Sequence, residues 1–133
     1  MKYEILEHTA DLKIRAFGRL LEELFNNILA AMVEATKPII INQTASVEEI
    51  KIKAENLENL LIDFLSEVIY QTDLNDVVYT KAEFKKITEK GLEGKIFGQK
   101  IKTFETEIKA ITWHELEIKK INNLWQATVV FDV

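Results

Sequence analysis

Polar and apolar residues alternate or recur along almost the whole chain, and the period of that pattern changes from segment to segment. Residues 3–18, YEILEHTADLKIRAFG, begin and end like a β-strand with Leu12, Ile14 and Ala16 on one face, but EHTAD interrupts the middle with polar groups. Residues 19–35 place Leu21, Leu24, Phe25, Ile28, Leu29 and Met32 at helical spacing. That helix is expected to start just after Gly18 and to stop before Pro38, because the residue preceding a proline avoids the α region. Residues 47–54 alternate around Ile50 and Ile52, with Glu49, Lys51 and Lys53 facing away, as in a half-buried strand. A second helix is predicted over ENLENLLIDFLSEVIYQTD, with Asn56 as N-cap and a broad stripe from Leu57 to Ile69.

After the turn LNDV, the strand VVYTKAEFKKI leads into a hairpin predicted between 77–88 and 92–98, where the glycines of TEKGLEGKIFGQ lie. KIKTFETE is less regular. IKAITWHELEI follows, and alternation places Lys109, Ile111 and Trp113 on one side with Ala110, Thr112 and His114 on the other. Asn122-Asn123 is a good two-residue turn, because asparagine tolerates positive φ. In WQATVVFDV, Trp125, Ala127, Val129 and Phe131 share one face, and Asp132 shares the other with Gln126, Thr128 and Val130. The order is β-α-β-α followed by several strands. No linker, repeat or low-complexity tract interrupts it. The predicted fold class is α+β: a single two-layer domain over residues 1–133, with two amphipathic helices on one face of a mixed β-sheet.

Composition narrows the chemistry. At 133 residues the chain is long enough for one proper core, with 47% hydrophobic and 29% charged residues. No apolar run approaches the roughly 20 residues that span a bilayer. The start MKYEILEH offers no signal-peptide segment, so a cytoplasmic protein away from membranes is expected. The absence of cysteine excludes disulfides, thiolate nucleophiles and Cys-ligated zinc. With only two histidines, a metal would be held mainly by oxygen, which suits calcium, magnesium or manganese. The net charge of −5 and the lack of a basic block argue against strong direct nucleic-acid binding and favour a basic protein partner. There is no Gly-rich phosphate loop, GxSxG elbow or HExxH.

Three groups could carry chemistry: His8 with Asp11, the segment KAITWHE, and Asp132-Val133. Asp11, Asp132 and the Val133 carboxylate together would offer three or more hard oxygens, and clustered carboxylates repel unless a cation relieves them. The alternative is a solvated strand end. A general-base role for His8 or His114, with Lys109 binding an anion, is a further alternative that lacks a nucleophile or reaction motif.

EHTADLKIRAFG, LEELF with AAM, LLIDFLSEVIYQTD, KAITWHELEI and WQATVVFDV, taken in order, resemble the archease family over Tyr3 to Val133. The resemblance implies a metal-binding accessory protein, not an enzyme, that activates an RtcB-type tRNA-splicing RNA ligase. In that role it promotes the ligase's guanylylation and multiple turnover in tRNA splicing or RNA repair. The second implied role is a chaperone-like modulator of a tRNA methyltransferase or another RNA-modifying enzyme. By the same resemblance, Asp11, Asp132 and a main-chain oxygen of Val133 are the metal ligands, with calcium foremost and magnesium or manganese compatible. Lys109, His114 and His8 match residues tied to ligase activation. Trp113 stands where the family has a tyrosine, and Lys13 where a small residue is common.

Overall fold

A computed structural model describes residues 1–7 and 11–133, with the side chains of residues 7 and 42–44 outside the description. His8 therefore lies outside the described residues. The elements in order are β1 (Tyr3–Glu7), β2 (Asp11–Gly18), α1 (Leu21–Thr36), β3 (Pro38–Lys53), α2 (Leu57–Asn75), β4 (Val77–Thr88), β5 (Gly91–Phe104), β6 (Ala110–Ile121) and β7 (Leu124–Asp132). The class is α+β, as the pattern implied. The sheet is not the single mixed one expected. Among the described residues the strands form two sheets, ordered β1-β2-β7-β6 and β3-β5-β4, and every pairing is antiparallel. Both helices contact strands of both sheets, so their apolar stripes are not confined to one sheet face. No helix among the described residues is long and apolar enough to cross a membrane.

Residues 3–18 are two strands rather than one. β1 and β2 pair from Tyr3↔Ala16 to Glu7↔Leu12, so EHTAD contributes Glu7 to the first strand and Asp11 to the second. β3 begins nine residues before the expected strand. As a sheet-edge strand it can hold Pro38 at its first position, where no ladder donor is needed, and its exposed Ile39, Ile40 and Ile41 carry no two-residue burial rhythm to read. Its early residues pair with Thr103 and Phe104, which draws KIKTF into β5.

The predicted caps and turns form. Asn56 Oδ1 accepts the Asn59 amide at 2.8 Å, and α2 ends on Asp76 at φ 54. Asn122 and Asn123 have φ 51 and 65, the pair of positive values that lets a two-residue turn follow the strand twist. On the outer face of β3-β5-β4, the row Lys51–Glu93–Lys86 lies beside Glu49–Lys95–Glu83, so every direct cross-strand neighbour has opposite charge. Such pairs penalise a slipped register.

One contiguous core joins Ile14 and Ala16 of β2, Ala127, Val129 and Phe131 of β7, and the apolar faces of both helices. Phe25, Phe64 and Phe84 meet in it with centroids 5.4–6.3 Å apart. Two adjacent asparagines tie α1 to both sheets. Asn26 donates to the Ala82 carbonyl (3.0 Å) and accepts the Ala82 amide (2.8 Å) on β4, while Asn27 donates to the Phe17 carbonyl (2.7 Å) on β2.

Candidate functional site

Alternation along β2 and β7 sends Leu12, Ile14, Ala127, Val129 and Phe131 into the core and the residues between them to the other face. On that outer face Asp11 is the direct cross-strand partner of Asp132, and Asp132 is also the partner of Ala110 on β6. The amide of Lys109 donates to the Asp132 carbonyl at 2.8 Å. One end of a single sheet thus gathers Asp11, Asp132 and Lys109, with Val133 next in sequence. Cβ atoms of direct antiparallel partners lie about 4.5–5.5 Å apart, and like charges facing each other at that spacing are destabilising.

The donor set suits a hard cation in part. Among the described residues no group of three or more His, Asp or Glu side chains could hold a metal ion. Asp11 and Asp132 supply two carboxylates, and further oxygens would come from main-chain groups such as that of Val133. Oxygen-only ligation of this kind fits calcium, magnesium or manganese and does not fit zinc or copper well.

His114 is separated from the carboxylates by an irregularity in β6. Thr112 pairs with Val130 and Glu117 with Thr128, so residues 113–116 face Val129 alone. Within that bulge Glu115 has φ 56, Leu116 turns inward to pack on the core, and Trp113 is 57% exposed. The expected placement of Trp113 beside Ile111 is therefore corrected: Ile111 packs on the core and Trp113 projects into solvent.

Glu115, the last residue of KAITWHE, and Lys13 also join this site. Lys13 Nζ lies 3.4 Å from Glu115 Oε2, and His114 Nε2 lies 3.8 Å from the same oxygen. The signal for the bulge was present. Ile111 and the inward pair Leu116 and Ile118 are out of phase by one residue, which a two-residue period does not allow without an insertion.

The whole chain is similar to known proteins. Residues 3–133 match the model of the Archease protein family (MTH1598/TM1083). A protein archease of Methanosarcina mazei is 38% identical over 143 residues, covering 99% of this chain and 96% of its own. That of Pyrococcus abyssi is 34% identical over 140 residues, covering 99% of both. The solution structure of Methanobacterium thermoautotrophicum protein 1598 aligns with a TM-score of 0.71 at 28% identity, covering 98% of both chains. A Thermotoga maritima crystal structure, described as an archease and possible chaperone, also gives 0.71, at 27% identity over 96% of this chain and 94% of its own.

Proposed function

The chain belongs to the archease family, and from that premise we propose that it is a metal-binding accessory protein that activates an RtcB-type RNA ligase. It promotes the ligase's guanylylation and multiple turnover in tRNA splicing or RNA repair, acting in the cytoplasm as a single domain. The observation that supports this most is the register that makes Asp11 and Asp132 direct partners across β2 and β7. Two residues 121 positions apart, each matched to one family metal site, are brought to one sheet end. Asp11, Asp132 and a main-chain oxygen of Val133 hold a divalent cation, calcium foremost. When bound, the ion neutralises the facing carboxylates and offers a local positive charge to the partner's phosphate chemistry.

The chain's own residues do the remaining work. Lys109, anchored through its amide to the strand that carries Asp132, presents an ammonium suited to a phosphate or an acidic ligase group. His114, on the neighbouring bulge, adds a ring that can donate or accept a hydrogen bond at the same interface. Measuring ligase guanylylation with Asp11→Ala and Asp132→Ala tests the reading. Both variants are expected to lose most of the stimulation, and unchanged stimulation by both removes the idea.

The second reading is a chaperone-like modulator of a tRNA methyltransferase. The description of the Thermotoga relative as a possible chaperone and the exposed Ile39, Ile40 and Ile41 on the edge strand β3 favour it. Protection of a methyltransferase from aggregation, lost in Ile40→Lys but kept in Asp132→Ala, would identify that role.

A further inference from the structure

Lys13 occupies an unusual place. It lies on the outer face of β2, one face position along from Asp11, and its direct partner on β7 is Val130. Val130 is in turn the partner of Thr112 on β6, so these three residues form one row across the sheet. Lys13 on β2 and Glu115 on β6 belong to the strands that flank β7, two strand spacings or about 10 Å apart, so their side chains reach toward each other to bring Nζ within 3.4 Å of Oε2. Val130 is only 1% exposed. Only 20% of the Lys13 side chain is exposed.

The other end of this reach is the bulge. Thr112 Oγ1 donates to the Val130 carbonyl at 3.1 Å and fixes the bulge where it begins. Leu116 fixes it where it ends, by packing on the core. The residues between lie in the register shift from Thr112 to Glu117, and Glu115 holds a positive φ that residues other than glycine, asparagine and aspartate seldom adopt. One carboxylate oxygen, Glu115 Oε2, stands between the Lys13 ammonium and the His114 ring. Trp113, a residue type that concentrates interface binding energy, is displayed beside them.

We infer that Lys13 and Glu115 are positioning residues whose ion pair holds the Trp113–His114 bulge at the ligase-facing edge of the Asp11–Asp132 site. The inference rests on the function proposed above. Neither residue contacts the reacting atoms. Their pairing couples the carboxylate end of β2 to the bulge of β6 across β7, so that Trp113, His114 and the carboxylates meet the ligase as one preformed surface.

The test uses the full chain with Lys13→Met, Lys13→Arg, Glu115→Gln and the double variant Lys13→Met/Glu115→Gln. At subsaturating activator, each charge-removing single variant is expected to lower stimulated guanylylation about fivefold, the scale of one partly exposed ion pair. The double variant is expected to lose no more than either single, and Lys13→Arg to keep most of the stimulation. Single variants that stimulate like wild type overturn the inference. So does a double variant whose losses multiply, which would mean the two side chains act separately. A second readout needs no ligase: the backbone amide resonances of residues 113–116. These should shift together in Lys13→Met and Glu115→Gln and return in Lys13→Arg, and unmoved resonances overturn the inference whatever the ligase does. If wild type fails to stimulate while those resonances move as expected, the ligase reading falls and the positioning role stands.

Discussion

Replacing Asn26 with alanine should cost this protein far more than a mid-helix asparagine usually would. The side chain makes two hydrogen bonds to one residue on another element, accepting the Ala82 amide at 2.8 Å and donating to its carbonyl at 3.0 Å. Ala82 is 2% exposed, so in the variant these backbone groups lose a partner where water does not readily replace it. Each intramolecular hydrogen bond is worth about 1 kcal/mol net, and an orphaned buried group costs about 1–3 kcal/mol. Alanine returns roughly 0.5 kcal/mol through its better helix propensity. The expected loss is therefore about 2–3 kcal/mol, or roughly 10 °C in Tm for a chain of this size. Asn27→Ala is the internal control. It removes one bond to the Phe17 carbonyl and should cost about 1 kcal/mol, since a carbonyl tolerates a lost donor better than an amide tolerates a lost acceptor. Urea unfolding followed by circular dichroism, fitted with a common slope, measures both. An Asn26→Ala loss below about 0.5 kcal/mol, or one smaller than that of Asn27→Ala, would refute the clamp.

Two other perturbations follow from local geometry. A Cβ at Gly94 would come within 2.1 Å of the Glu83 carbonyl oxygen and 2.9 Å of Phe84 Cα, both backbone atoms. Gly94→Ala should thus push β4 from β5 and cost at least about 2 kcal/mol by the same unfolding assay; a stability equal to wild type would show that the strands give way easily. Burial raises the pKa of the Tyr79 phenol and the Glu48 charge adds to this, while the hydrogen bond from Asn75 works in the opposite direction. Because the folded value lies above the unfolded one, the folded state keeps its proton longer. Stability should be flat below about pH 10 and fall as the pH rises from there toward the folded value. In Tyr79→Phe the alkaline fall should shrink, and an identical pH profile for the two proteins would assign the loss to other groups.

Much of the fold was legible because its elements bury one face each. The inward set Ala127, Val129 and Phe131 follows from period alone, and helices α1 and α2 and the β4–β5 hairpin follow from period together with the Pro38, Asn56 and glycine signals at their ends. The division into two sheets was not legible. A helix that packs on two sheets and a helix that packs on one can carry similar apolar stripes, and nothing in a strand's alternation names its neighbour. Asn26 and Asn27 were the missed clue, since a mid-helix asparagine is disfavoured unless its amide has work elsewhere. Asp11 and Asp132 were legible as candidates, but their cross-strand register belongs to topology. Lys13 and Glu115 were not legible as a pair, because their meeting depends on two strands that flank a third and on a bulge in one of them.

The Asp11–Asp132 site is tested most directly by a calcium titration of the full chain followed at its backbone amides. Wild type should show saturable shifts at Leu12, Lys109 and Asp132, and Asp132→Asn should abolish or greatly weaken them. Shifts that persist unchanged in Asp132→Asn, or that gather at a distant part of the molecule, would contradict the assignment of this strand end as the metal site.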